Sequence, residues 1–328
     1  MRVGVVNLLR SAREEVAIAR ACEEAGFWGL GLGDTAPHLY QETYATAGAC
    51  FAATDRLHIG PTVTNTVTRH WSVLGAAART YEELVPGRFF AGIGTGDGAV
   101  HSVGLKPASW SQVERDVASV RSLAPPDLEI HIAASGPRGV EAAGRVASDV
   151  IIGTGLDTTA LRSLAARARS ARRAASIEAP LGVWAFVNAF FAPDRATALA
   201  ARVEQRARAI GYARFSFAST FEDKGVPEAW QPILRERLAR YDFGSHGQGG
   251  PNPNADMFDD VPDLQDYLID RMLLIGTADE CAARIATVAK EAGLDGVWLA
   301  LTPLEVAQDP VEMVRAAGDA LAGVLVPA

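Results

Sequence analysis

Short apolar, β-branched runs alternate along the chain with longer stretches rich in Ala, Arg and Glu, the rhythm of βα units around a parallel sheet. Apolar runs at residues 2–7, 28–32, 57–65, 89–93, 129–133, 149–152, 181–191 and 296–301 predict eight strands. Helices are expected at 11–25, 71–84, near 139–146 and at 278–292, with a terminal helix over 310–325. Ser11, with Glu14 three residues on, offers a capping box for the first of them. Eight strands with alternating helices fit a closed (β/α)8 TIM barrel, an α/β fold. The competing doubly wound sheet calls for a GxGxxG turn after its first strand, and Asn7-Leu8-Leu9-Arg10-Ser11 has no glycine there.

No repeat beyond the βα period and no Pro/Gly-rich linker divides the 328 residues, so one domain is expected. Its irregular part is an insertion between the seventh and eighth strands at about 192–276, where helical segments give way to a polar loop over 241–254. Such an insertion usually forms a lid or a substrate wall.

The net charge of −8 and the absence of any Lys/Arg run argue against a nucleic-acid partner. The apolar run at 3–9 is closed by Arg10 and is too short for a signal or membrane segment, so a cytoplasmic protein is expected, as a homo-oligomer acting on a small-molecule substrate. Cys22, Cys50 and Cys281 lie far apart with no CxxC spacing and read as buried thiols. The six histidines lack HxxxH or HExxH spacing, and no protein-bound metal is expected.

In a barrel of this kind the chemistry sits at the carboxyl ends of the strands. The residues there are Asn7, Asp34 and Thr35, Thr62 to Asn65 with Arg69 and His70, Gly94 to Asp97, Ala134-Ser135-Gly136 and Gly153-Thr154-Gly155. The last two turns pass from strand to helix through small residues, which suits a phosphate at a helix amino terminus and equally an ordinary tight turn. Asp97 is either a group that orients a ring or acts as a base, or a solvated loop carboxylate. The cationic pair Arg69-His70 at a helix start calls for a negative or hydrogen-bonding neighbour, or else packs and bonds between turns.

Residues 56–70, Arg-Leu-His-Ile-Gly-Pro-Thr-Val-Thr-Asn-Thr-Val-Thr-Arg-His, and 86–97, Pro-Gly-Arg-Phe-Phe-Ala-Gly-Ile-Gly-Thr-Gly-Asp, resemble the luciferase-like monooxygenase superfamily. The branch with coenzyme F420-dependent methylenetetrahydromethanopterin reductases matches the pattern most closely, and residues 99–108, 132–137 and 147–152 continue it. The resemblance implies a flavin or deazaflavin cofactor and a non-prolyl cis peptide at Thr62-Val63 behind its ring. It further implies that Asp34, Asn65, Gly96 and Asp97 border the ring, with Ala134, Ser135, Gly136, Thr154 and Gly155 toward the phosphate. Asp34, Asp97 and His70 are the catalytic candidates.

Two features depart from the pattern. Many F420-dependent members carry Asp-His after the second strand where this chain has Asp34-Thr35, and Ala124-Pro125-Pro126-Asp127 replaces a longer segment. The first departure favours a two-component monooxygenase that takes reduced FMN from a flavin reductase and oxygenates a small organic substrate. The Thr64-to-His70 stretch favours the alternative, an F420-dependent dehydrogenase or reductase that moves a hydride without oxygen. A non-catalytic flavin-binding barrel is the reading from another class.

Overall fold

The computed structural model describes residues 1–7, 11–34, 41–245, 252–301 and 308–325. Its strands are β1 (Arg2–Asn7), β2 (Gly29–Leu32), β3 (His58–Pro61), β4 (Thr64–Asn65), β5 (Phe90–Gly94), β6 (Glu129–Ala134), β7 (Asp149–Ile152), β8 (Gly182–Ala192), β9 (Leu273–Thr277) and β10 (Gly296–Leu301). They pair in parallel in the order β3-β2-β1-β10-β8-β7-β6-β5-β4, with β9 attached to β8. The first and last barrel strands are neighbours, Arg2 lying opposite Gly296 and Val6 opposite Ala300, as a closed barrel requires. A parallel bridge from Ile59 to Phe89 joins the remaining edges. The single strand expected over 57–65 is thus two, β3 and β4, parted at the Thr62-Val63 peptide bond, which is cis.

The helices are α1 (Ala12–Glu24), α2 (Thr43–Phe51), α3 (Trp71–Leu84), α4 (Asp97–His101), α5 (Trp110–Leu123), α6 (Pro137–Val146), α7 (Thr158–Ala174), α8 (Arg195–Glu204), α9 (Arg206–Phe217), α10 (Gln231–Leu238), α11 (Pro262–Met272), α12 (Ala278–Ala292) and α13 (Pro310–Leu321). The Ser11 side chain caps α1 by accepting from the Glu14 amide. A full capping box is found at α12, where Thr277 and Glu280 exchange bonds. Among the described residues no helix is long and apolar enough to cross a membrane.

Strand alternation sorts the side chains into two cores. Val3, Val5, Leu30, Ile59, Ile93, Ile130, Ile132, Val150, Val183 and Val297 face outward and are covered by helices. Val6, Phe90, Ile151, Trp184 and Trp298 face inward with Trp28 and fill the barrel axis. Trp184 and Trp298 stack at 5.3 Å between centroids, and Trp28 stacks on His58 at 4.7 Å.

Below this layer, where the strands begin, Arg2 bonds both Glu129 (3.3 Å) and Asp149 (3.1 Å), and Asp149 accepts from the Trp184 indole at 2.7 Å. Burial by itself would raise the Glu129 carboxyl, but the hydrogen bond and charge of His131, with Arg2, hold it below the usual range. Ligating atoms of Glu129, His131 and Asp149 lie within 4.8 Å of one another. The spacing argument from sequence missed this group, whose two carboxylates are engaged by Arg2. The amino-terminal end of the barrel is therefore plugged.

The insertion at 192–276 holds the helical segments α8 to α11, and it has a core of its own. Ile210, Phe217, Leu234, Leu238, Leu264, Leu268 and Met272 form an apolar cluster of their own, and Leu273–Thr277 is a strand on the overhang of β8, Asn188 lying opposite Leu273. The 241–254 segment is anchored at both ends: Tyr241 and Asn254 are buried, and the Asn254 amide bonds the backbone of Asp242 in both directions. Residues 246–251 fall outside the described set.

Candidate active site

Above the tryptophan layer the inward residues Val63, Ala133, Phe186 and Ala300 are only partly buried, so the barrel opens toward its carboxyl end. Asn188 is one step further along β8 in the inward-facing series and lies opposite Ala300 in register. It is buried, and neither its amide nitrogen nor its oxygen has a hydrogen-bond partner among the described residues. Buried polar atoms in folded proteins are nearly always paired, so Asn188 stands out.

The sequence-derived residues fall into two groups. In the first, the buried Asp34 carboxylate accepts from Arg69 twice (2.7 and 3.0 Å), from Thr64 at 2.6 Å and from Thr43 at 3.2 Å. Arg69 also reaches Glu42 at 2.7 Å and lies over the Tyr44 ring. These bonds answer the question raised by the Arg69-His70 pair: Arg69 is neutralised by Asp34 and Glu42. Asn65 turns its oxygen to the Val67 and Thr68 amides and leaves its buried Nδ2 without a partner among the described residues, as Thr62 leaves its Oγ1.

Gly96 packs against Asn65. It has φ +91°, and a side chain there would meet the Asn65 Cβ at 2.7 Å, which is why the turn carries glycine. Asp97 opens the short α4, a helix that the glycine-dense sequence did not announce, and pairs with His101 at 3.3 Å. His70 is exposed and caps α3, accepting from the Ser72 amide at 3.3 Å through Nδ1. Asn7, a rim residue by sequence, points to the helix layer and donates to Glu15. Thr35 lies outside the described residues.

In the second group the two small-residue turns are neighbours, since a Cβ built on Gly153 would stand 2.9 Å from Ser135 Oγ. Ala134 ends β6, Gly136 is the uncapped amino terminus of α6, and Thr154 is fully buried, its Oγ1 without a partner among the described residues. Gly155 has φ +71°, and a methyl there would collide with the Arg271 carbonyl, so the position is sterically fixed.

Two residues of the insertion complete this side and were not singled out from sequence. Arg271, buried, donates to the Thr154 carbonyl (3.2 Å) and to the Tyr267 hydroxyl (2.6 Å), and lies 3.6 Å from Asp157. Lys224 is fully buried, and its Nζ bonds the Ser216 carbonyl. A signal was present, because lysine occurs three times in a chain that otherwise uses arginine. A separate cleft of about 560 Å³, lined by Phe190, Phe191 and Met313 among the described residues, lies by the first turn of α13. We place the candidate site at the barrel mouth, where Thr62 Oγ1, Asn65 Nδ2 and both amide atoms of Asn188 are buried without a partner among the described residues.

The family model described as luciferase-like monooxygenase matches residues 1–109 and 106–296. A 5,10-methylenetetrahydromethanopterin reductase of Methanolobus tindarius is 25% identical over 297 residues, 81% of this chain and 84% of that protein. The coenzyme F420-dependent tetrahydromethanopterin reductase structure from Methanopyrus kandleri superposes with TM-score 0.77 at 15% identity, covering 99% of both chains. The EDTA monooxygenase of Chelativorans sp. BNC1 superposes with TM-score 0.71 at 14% identity, covering 100% of this chain and 95% of the other. With its barrel, its open carboxyl-terminal mouth and the match to the family model over most of its length, this chain belongs to the luciferase-like monooxygenase family of oxidoreductases.

Proposed function

We propose that this chain is a coenzyme F420-dependent oxidoreductase that moves a hydride to or from a small organic substrate at the barrel mouth. The observation that carries the reading is the set of buried, unpartnered polar atoms there: Thr62 Oγ1, Asn65 Nδ2 and both amide atoms of Asn188. Each costs about 1 to 3 kcal/mol unless a ligand or an ordered water meets it. A carboxamide offers a donor and an acceptor together, which suits the carbonyl and N–H edge of a deazaflavin or flavin ring.

Bound there, the deazaflavin supplies a hydride-transfer position at its C5. The protein supplies orientation and a dry, plugged barrel. Asn188 orients the ring edge, and Asp34 is a positioning residue that holds Arg69 and Thr64 at the mouth. Asp97, half-buried at the start of α4, is the carboxylate we assign to holding or moving a proton beside the ring. The likeness to two methanopterin reductases, one by sequence and one by structure, supports the deazaflavin over FMN.

A second reading, a two-component monooxygenase supplied with reduced FMN by a flavin reductase, is favoured by Thr35 standing where the resemblance expects histidine. Titration with oxidised F420 and, without oxygen, with reduced FMN, followed by oxygen-uptake assays, separates the two. F420 binding with no oxygen consumption is expected. Binding of reduced FMN alone, with oxygen consumed per turnover, would replace the first reading by the second.

A further inference from the structure

We propose that Lys224, carried by the insertion, is the counter-cation for the cofactor's phosphate, in an anion subsite completed by the amino terminus of α6, Ser135 and Thr154. The inference rests on the cofactor reading above and names the group that closes its phosphate end.

Lys224 is fully buried, and no carboxylate of the described residues pairs with it. Its ammonium has three N–H donors, and the Ser216 carbonyl takes one. Burying such a charge uncompensated is costly. Arg271 adds to the cost rather than relieving it: burial first, and then the Arg271 charge, pull the lysine down to about 8. The Arg271 charge has Asp157 at 3.6 Å, so the unmatched cation is Lys224.

The place the ammonium faces is built for an anion. A Cβ on Gly136 would stand 3.7 Å from Nζ, so the lysine lies against the start of α6. That helix has no side-chain cap and no acid in its first turn, which carries the exposed Arg138 instead. Pro137 has no N–H and the Gly139 amide bonds the Gly136 carbonyl, so the first turn offers the Arg138 N–H, and the helix dipole there favours negative charge. Thr154 and Ser216, both fully buried, have hydroxyls with no partner among the described residues, and Ser135 lies beside Gly153. The Lys224 cation and the α6 dipole meet here, Thr154 and Ser216 belong to the segments whose carbonyls bond Arg271 and Lys224, and negative charge is what the place lacks. A phosphate ester brings at least one negative charge and several acceptor oxygens.

The lysine is also held in place before any ligand arrives. Its neighbour Asp223 pairs with Arg167 at 2.9 Å and accepts from Ser163 at 3.0 Å, and its own carbonyl accepts from Arg271. The insertion thereby closes over the cofactor's phosphate end.

The test compares cofactors with and without phosphate: F420 against its phosphate-free deazariboflavin chromophore, and FMN against riboflavin. Lys224→Met keeps length and apolar stem. We expect about 10- to 100-fold weaker binding of whichever phosphate-bearing cofactor the parent binds, and unchanged binding of the phosphate-free partner. Equal loss for both members of a pair would make Lys224 a structural residue and overturn the proposal. Should the variant fail to fold, inorganic phosphate titrated into the parent protein decides. It is expected to compete with F420 or FMN and not with the phosphate-free chromophore, and absence of competition would overturn the proposal. A parent that binds neither cofactor yet is stabilised by inorganic phosphate, with the effect lost in Lys224→Met, would keep the anion subsite and sink the cofactor reading alone.

Discussion

The Asn7 amide donates a 2.7 Å hydrogen bond to one carboxylate oxygen of Glu15, and the other oxygen is buried with no partner among the described residues. Burial pushes the Glu15 carboxyl up from 4.5 to about 7, against the lowering effect of the Asn7 bond. The folded state therefore binds a proton that the unfolded chain has lost between those two pH values. Stability falls as pH rises across this window, by about 3 kcal/mol in all. Glu15→Gln removes the titration, so urea unfolding at pH 5 and pH 8 should show a smaller loss at the higher pH than the parent. Parallel losses in both proteins would place the titration elsewhere.

Arg69 and Asp34 form the ion pair that ties the end of β2 to the start of α3. Removing the cation in Arg69→Met leaves a buried carboxylate with only its two threonine donors. A loss of about 2 to 3 kcal/mol in chemical denaturation is expected. Adding Asp34→Asn should recover part of it, because the charge without a partner is gone. Additive losses in the double variant would mean that the two side chains are not coupled.

Thr154 and Gly155 are adjacent and make very different probes of the second group. Gly155→Ala meets both a positive φ and the Arg271 carbonyl, so it should destabilise the unliganded protein and report on folding as much as on binding. Thr154→Val removes a hydroxyl that bonds nothing among the described residues. Its unfolding midpoint should equal or exceed the parent's, with cofactor affinity weaker by about 1 kcal/mol. A drop in the midpoint would mean that the hydroxyl is satisfied within the protein.

The barrel was legible because eight apolar runs bear their polar and glycine residues at one end, and a closed barrel collects such ends into one rim. Asp34, Asn65 and Gly96 could be placed that way, since each lies at or within two residues of the end of a strand. What was hidden depends on contacts between distant segments. Arg2, Glu129 and Asp149 look like ordinary strand beginnings, and only closure brings them together into the plug. Lys224 lies in a turn of the insertion, where no strand period marks a direction, so its burial against α6 follows from the insertion's own apolar cluster. Leu273–Thr277 was lost in the insertion because a short apolar run has no period that distinguishes strand from helix.

Asn188 was legible in principle, as the one amide in the apolar run from Gly182 to Ala192, and it gives the sharpest test of the mouth. Its amide bonds nothing within the described protein, so exchange for a side chain of similar size without polar atoms sacrifices no internal hydrogen bond. Asn188→Leu should therefore leave the unfolding midpoint unchanged or raise it, since a buried, unsatisfied carboxamide is replaced by an apolar group over Phe186 and Ala300. Cofactor binding should weaken by about 1 to 3 kcal/mol, because the ring edge loses a donor and an acceptor together. The phosphate-free chromophore should lose as much as the complete cofactor, the reverse of the pattern expected for Lys224→Met. Fluorescence titration of Asn188→Leu with both forms checks this, and a loss confined to the phosphate-bearing form would move Asn188 away from the ring.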